Sequence, residues 1–194
     1  MSDHTHLDGV VISRSAAAAI DRFAGRATKA TGTEVIGLLF GLPFETVAGE
    51  RGVWIVHADL AAGQTGSAIH VEMPAEAYGP SWAGCREAWH RLGLDELRRD
   101  PLVVGWWHSH PNMDVFMSGT DVDNARTQFS LPWQVSYVVA PPGPQRAFFG
   151  WTEDALRPDV RLPAHVWSGP DSELRWHLRE QTACRMWGEE VLAW

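Results

Sequence analysis

His108-Ser109-His110-Pro111 is followed after seven residues by Ser118 and after two more by Asp121, the pattern His-x-His-x(7)-Ser-x(2)-Asp. Two imidazoles and a carboxylate form a three-ligand set for zinc. Three protein ligands leave the fourth tetrahedral position open to water, which zinc brings to a pKa of about 7, so such a set points to hydrolysis rather than structural support. The serine hydroxyl adds a polar group that can aim at developing charge. Two histidines on a half-solvated strand would produce the same short pattern without any metal, so the reading depends on the elements that carry these side chains.

Residues 101–110 read as a strand. Side chains alternate faces along it, so His108 and His110 share one face with Ser109 on the other. Ser118-Gly119-Thr120-Asp121 matches a helix N-terminus, with Ser118 as N-cap and Asp121 three residues on, a capping-box spacing. Capping and chemistry are compatible, because a hydroxyl that accepts a backbone hydrogen bond still has its proton to donate. The helix dipole favours the ionised form of Asp121 in the first turn, which suits a metal ligand. Hydrolysis also needs a base. Glu34 is the candidate, because it heads the apolar run Glu34-Val35-Ile36-Gly37-Leu38-Leu39-Phe40-Gly41, where a charge requires a reason. At a strand's frayed end it would instead be a surface residue.

The remaining elements follow from periodicity. Ala16, Ile20, Phe23 and Ala27 fall on one stripe of a helix over residues 13–30, with Ser13 or Ser15 as cap and Gly32 past its end. Further strands are predicted at 34–41, 52–60, 68–72, 134–140 and 146–152, with a turn at 63–66. A second helix is predicted from Pro74 to near Gly93, interrupted or offset at Gly79-Pro80. From Arg157 the character changes: Pro158, Pro163, Gly169 and Pro170 predict a loop, and residues 171–192 a final helix. Its Trp176, Trp187 and Trp194 would dock it onto the domain or onto a partner. This order of elements predicts an α/β or α+β fold, a mixed sheet flanked by helices. The division expected is a domain at 1–156 and a C-terminal extension at 157–194.

Composition narrows the function classes. The chain has 194 residues, 45% of them hydrophobic and 21% charged, which describes a globular protein of one main domain. Its formal net charge is −8 and Lys29 is its single lysine, so no lysine-rich patch exists for phosphate and nucleic acid is a poor partner. The N-terminus lacks the basic start and apolar run of a signal peptide, and no later stretch suits a bilayer span; the expectation is a cytoplasmic protein without membrane contact. Cys85 and Cys184 are far apart and outside any Cys-x-x-Cys pair, so both are expected reduced and buried. Most of the eleven tryptophans are expected in the core.

Glu34 and its apolar run, then Val104-Gly105-Trp106-Trp107-His108-Ser109-His110-Pro111, Ser118 and Asp121, closely resemble the JAMM (MPN-plus) metalloprotease domain over roughly residues 10–152. The resemblance implies a cytidine deaminase-like fold and cleavage of peptide or isopeptide bonds after ubiquitin and ubiquitin-like proteins. Carried over by position, it implies His108, His110 and Asp121 as ligands of one zinc ion per chain. Glu34 would be the general acid/base working on the water at that zinc, and Ser118 the donor that steadies the tetrahedral oxyanion. All five groups are present, whereas inactive scaffold relatives lose ligands.

Departures shape the partner expectation. Relatives selective for one ubiquitin linkage carry long insertions, one with a second zinc, and this chain has neither the length nor a cysteine there. It looks more like bacterial members, encoded with ubiquitin-like, E1-like and E2-like proteins or with sulfur carriers. Two alternatives stay open: processing of a sulfur-carrier conjugate, and a non-catalytic module that binds a ubiquitin-like protein through its Trp-rich tail. An extended substrate tail would pass Met113, Phe116 and Met117, which could equally be loop packing. His70-Val71-Glu72 matches half of a zinc-deaminase motif, but the Pro-Cys-x-x-Cys half is missing, so His70 and Glu72 read as strand residues near the rim. His4 and His6 read as a solvated start.

Overall fold

The first helix begins where the sequence offers a cap. Ser13 ends strand β1 (Gly9–Ser13), and its hydroxyl accepts the Ala16 amide at 3.2 Å to start helix α1 (Arg14–Ala30). Ala16, Ala17, Ile20 and Ala24 are its buried stripe. Past its end Gly32 turns left-handed at φ 66°, and its amide reaches the carbonyls of Ala27 and Thr28, a closure that costs glycine little. This computed structural model describes residues 7–46, 48–62, 65–66, 71–72, 76, 78–97, 99–151 and 157–183.

Strands β2 (Ile36–Glu45), β3 (Arg51–Ala58), β6 (Leu102–Ser109), β7 (Val135–Ala140) and β8 (Gln145–Gly150) lie where alternation and apolar runs predict them. β4 (Thr65–Gly66) and β5 (Val71–Glu72) form a separate small hairpin. It takes up the end of the strand expected at 68–72; residues 68–70, His70 among them, lie outside the described residues. Helix α2 spans Tyr78–Arg91, so Gly79 and Pro80 sit in its first turn, where the missing proline N–H breaks no helical bond. The irregularity expected at Gly79-Pro80 is thus the start of the helix; the expected start at Pro74 lies outside the described residues.

Residues 157–170 depart from the loop predicted for them. They contain β9 (Val160–Leu162) and β10 (Ala164–Trp167), at opposite ends of an eight-stranded sheet of order β10-β1-β3-β2-β6-β7-β8-β9. Only Pro163 separates these two strands, and consecutive Cα atoms are about 3.8 Å apart. The two edges of the sheet must therefore meet at Pro163, and the sheet curls to bring them together there. Pro163 is tolerated because it stands at the junction, accepting the Val10 amide on its carbonyl at 2.9 Å, with no ladder bond required of its nitrogen. Helix α4 (Asp171–Ala183) follows; residues 184–192 of the predicted last helix, with Cys184 and Trp187, and Trp194 beyond them lie outside the described residues.

The sheet mixes parallel and antiparallel pairs, which makes the fold a mixed α/β sheet flanked by helices. Alternation sends Leu39, Val53, Ile55, Trp107, Val135 and Tyr137 to one face, against α1, and a bulge in β6 at Val104-Gly105 adds Val104 to it. The opposite face carries Ile36, Leu38, Phe40 and Trp106 towards Cys85 of α2 and Phe129, and Leu42, Trp54 and Val56 towards Trp89, Leu174 and Leu178. Cys85 is free and fully buried, and its thiol is pushed up to about 12 by desolvation. No helix among the described residues is long and apolar enough to cross a membrane.

Gly37 sits where two segments approach closely. The Trp107 indole donates to the Asp59 carbonyl at 2.9 Å, and a Cβ on Gly37 would collide with both groups. Gly37→Ala is expected to destabilise the protein by about 1–3 kcal/mol, the usual cost of overpacking, read as a fall of several degrees in Tm. An unchanged Tm would show that this contact yields freely.

Candidate functional site

His108 and His110 sit at the C-terminal end of β6, which pairs antiparallel with β2 and parallel with β7. His108 stands between Ile36 and Val138 in register, and both imidazoles are buried, 0% and 3% exposed. Ser109 points the other way and is equally buried. Its hydroxyl accepts the Val35 amide at 3.0 Å, and its own amide donates to the Val35 carbonyl at 3.0 Å. This clasp fastens the residue after Glu34 beside the residue between the two histidines. It is how a carboxylate far upstream in sequence reaches the site.

Helix α3 (Gly119–Gln128) brings the third candidate ligand, Asp121. Ser118 and Asp121 form a reciprocal capping box: the Asp121 amide donates to the Ser118 hydroxyl at 3.2 Å, and the Ser118 amide donates to Asp121 Oδ2 at 2.7 Å. The capping box expected of this tetrapeptide is present, with Asp121 buried in the first turn.

The side chains converge. The two histidine Nε2 atoms are 3.0 Å apart, Asp121 Oδ1 is 3.2 Å from His108 Nε2, and Oδ2 is 3.7 Å from His110 Nε2. Glu34 Oε1 lies 4.0 Å from His110 Nε2, and Glu34 is 5% exposed. Ligand atoms of His108, His110 and Asp121 all lie within 4.8 Å of one another. Ser118 is half-buried beside them on the cap.

Electrostatics favours a cation here. Desolvation lowers the His108 pKa, outweighing the pull of Asp121, so its imidazole is neutral at neutral pH. Burial alone would raise the Asp121 carboxyl. Hydrogen bonds from His108 and His110, with a smaller contribution from Ser118, reverse this and hold it well below the usual carboxylate range. For His110, burial is opposed by Asp121, by the Asp114 carbonyl and by the charge of Glu34, and the net direction is upward. These groups draw positive charge to Nε2, where a proton and a metal ion would compete. Two imidazole nitrogens and an ionised carboxylate, buried and convergent, are the donor set that zinc takes. The residues fit the ion.

Each imidazole is oriented by a different device. His110 Nδ1 donates to the Asp114 carbonyl at 3.0 Å, which turns Nε2 towards the other ligands. His108 Nδ1 is buried without a hydrogen-bond partner among the described residues, and its ring instead lies flat on Trp106, centroids 4.6 Å apart at 10°. Trp106 is stacked in turn on Phe129, which ends α3, at 5.7 Å and 12°. Strand alternation contains a signal for Trp106, two residues before His108 on the same face. None exists for a loop carbonyl. Of the expected walls, Phe116 is 45% exposed and meets the His110 ring edge-on at 4.9 Å. Met117 is packing between two apolar clusters, and Met113 is half-buried in the loop, its amide 3.3 Å from the His110 carbonyl.

Comparison with known proteins places this arrangement. The family described as prokaryotic homologs of the JAB domain matches residues 16–152. The chain is 34% identical over 73 residues to the 26S proteasome regulatory subunit RPN11 of Eremothecium gossypii, covering 36% of this chain and 24% of that protein. It is 32% identical over 73 residues to the ubiquitin carboxyl-terminal hydrolase RPN11 of Saccharomyces cerevisiae, with the same coverage of 36% and 24%. A STAM-binding protein-like protein of Xenopus laevis is 27% identical over 89 residues, 45% of this chain and 21% of that one. The matched region is thus about a quarter or less of the length of these relatives. The solution structure of protein DSY2949 from Desulfitobacterium hafniense has a TM-score of 0.52 at 15% identity, covering 82% of this chain and 94% of that one, and shares the fold. With the matched segment spanning most of the chain and holding Glu34, His108, His110, Ser118 and Asp121, the protein belongs to the prokaryotic homologs of the JAB domain, the JAMM family that its sequence resembles.

Proposed function

We propose that the protein is a zinc-dependent peptidase or isopeptidase that cleaves after the C-terminus of a ubiquitin-like protein, in deconjugation or precursor maturation, in a bacterial cytoplasm. One observation carries the reading: a glutamate, two histidines and an aspartate from three separate segments are buried together at the end of β6. Burying four such groups is costly unless they are paired or hold a metal, so their convergence asks for a function. The hydrolase named among the relatives supports the substrate class.

In this reading His108, His110 and Asp121 hold the zinc. When bound, zinc supplies Lewis acidity that polarises the scissile carbonyl and acidifies water. Glu34 belongs to the same pocket without being one of the three convergent ligands, and its carboxylate takes a proton from water and passes it to the leaving amine. The Ser118 hydroxyl accepts one hydrogen bond, from the Asp121 amide, and its proton is directed at the developing oxyanion. Phe116 forms a wall for the extended substrate tail. Residues 157–194 form a C-terminal extension to the unit of residues 1–156 that adds β9 and β10 to its sheet, and E1-like and E2-like proteins are the expected companions.

The test is zinc content in protein purified without added metal. It is paired with cleavage of ubiquitin-like and sulfur-carrier proteins fused through their C-termini to a reporter, with and without a zinc chelator. About one zinc per chain and chelator-sensitive cleavage are expected. Protein free of zinc, or cleavage indifferent to the chelator, would overturn the proposal. Ser118→Ala is expected to retain zinc, to lose roughly 10² or more in kcat as oxyanion donors do, and to cost about 1 kcal/mol of stability from the lost cap. Unchanged kcat with the same stability loss would reduce Ser118 to a cap.

A further inference from the structure

β9 lies beyond the matched family segment, yet one of its side chains reaches the loop that orients a metal-site histidine. Paired residues in neighbouring strands share a face. The register runs His108 to Val138 across β6 and β7, Ser136 to Phe149 across β7 and β8, and Phe149 to Arg161 across β8 and β9. Val138 and Ser136 are two residues apart in β7, so Arg161 shares the face of His108. Its guanidinium lies over the Phe149 ring, 5.6 Å from the centroid, and donates to the Val115 carbonyl at 2.5 Å.

Val115 belongs to the loop between the histidines and α3. Its side chain is 7% exposed and seated among Val138, Ala140 and Phe149. The carbonyl just before it, that of Asp114, accepts His110 Nδ1 at 3.0 Å. The two carbonyls that flank Val115 are therefore both held, one by His110 and one by Arg161, with the side chain between them anchored. That fixes the peptide on which His110 hangs. A carbonyl can only accept, so His110 Nδ1 carries the hydrogen and Nε2 faces Asp121 and His108.

We propose that Arg161 is a positioning residue for the metal centre, holding the Val115 carbonyl so that the Asp114 carbonyl keeps His110 oriented with Nε2 towards Asp121. The closing strand at the C-terminus is then part of the site's support as well as an edge of the sheet. This inference rests on the zinc reading only where metal affinity is measured; the orientation of His110 in metal-free protein is independent of it.

The experiment compares wild type, Arg161→Ala, Arg161→Lys and Arg157→Ala. Arg157 is an exposed arginine of the same segment, 2.5 Å from Asp159, and serves as the charge control. Two readouts are used. In metal-free protein, imidazole nitrogen NMR follows the His110 Nδ1–H that donates to Asp114. In titrations with Co²⁺ against a chelator, affinity and the visible spectrum of the bound ion are recorded. Arg161→Ala is expected to remain folded, to lose the protected Nδ1–H signal and to bind Co²⁺ about 10-fold more weakly, the lower end of what outer partners of metal ligands contribute. Arg161→Lys should recover part of both, and Arg157→Ala should match wild type. An Arg161→Ala protein with the wild-type Nδ1–H signal overturns the proposal, as does an equal loss in Arg157→Ala. If wild type itself binds no Co²⁺, the zinc reading fails while the NMR comparison still decides the role of Arg161.

Discussion

Glu34→Gln is expected to leave zinc bound and to lower turnover by about 10²–10⁴-fold, the range over which a positioned general acid/base contributes. Glutamine keeps the size of the side chain and an acceptor oxygen, so the buried pocket stays filled, but its amide cannot take up and return a proton. Glu34 Oε1 is 4.0 Å from His110 Nε2, longer than a hydrogen bond, and Glu34 is outside the three-residue group whose ligand atoms converge. Zinc content by elemental analysis should therefore match wild type while kcat collapses. A variant as active as wild type would remove Glu34 from the chemistry. One that loses zinc together with activity would make it a ligand.

Asp121→Asn acts on the other half of the centre. The substitution retains an oxygen that can accept the Ser118 amide, so the start of α3 is preserved, but it removes the ionised ligand that lies 3.2 Å from His108 and 3.7 Å from His110. Losing a ligand outright should weaken zinc by more than the roughly 10–100-fold that loss of an outer partner costs. The variant should emerge from dialysis largely free of zinc and inactive. Thermal unfolding supplies a second check. Zinc at 100 times its Kd stabilises the folded state by about 2.7 kcal/mol, worth roughly 5–10 °C in Tm for a chain of this size. Wild type should show that rise on zinc addition and Asp121→Asn should not. Equal rises in both proteins would mean that zinc is held elsewhere.

The ligand stretch was legible because its geometry is local. Strand alternation alone puts His108 and His110 on one face, and the Ser118 to Asp121 spacing alone writes a capping box; both stand in the structure as expected. Glu34 was legible only as an anomaly, a charge heading an apolar run, and nothing in its own neighbourhood says what it meets. The clasp from Ser109 to Val35 settles that, between residues 74 positions apart. Residues 160–167 were illegible as strands, because prolines and glycines around them read as loop. Their strand character comes from the partners waiting at the two open edges of the sheet. The Asp114 carbonyl on His110 Nδ1 leaves no trace in residue type at all.

By itself, then, the sequence determined the chemical identity of the site's groups and the family to which they belong, and it determined the placement of His108, His110, Ser118 and Asp121 along one strand and one helix start, since that placement depends on interactions within a few residues. The tertiary structure alone decided how Glu34 reaches the pocket, which groups orient the two imidazoles, and that the C-terminal strands close the sheet and send Arg161 to the loop beside His110. Those outcomes depend on which segments share a sheet edge or a buried face, and such pairing is set by packing across the whole chain rather than by any local spacing.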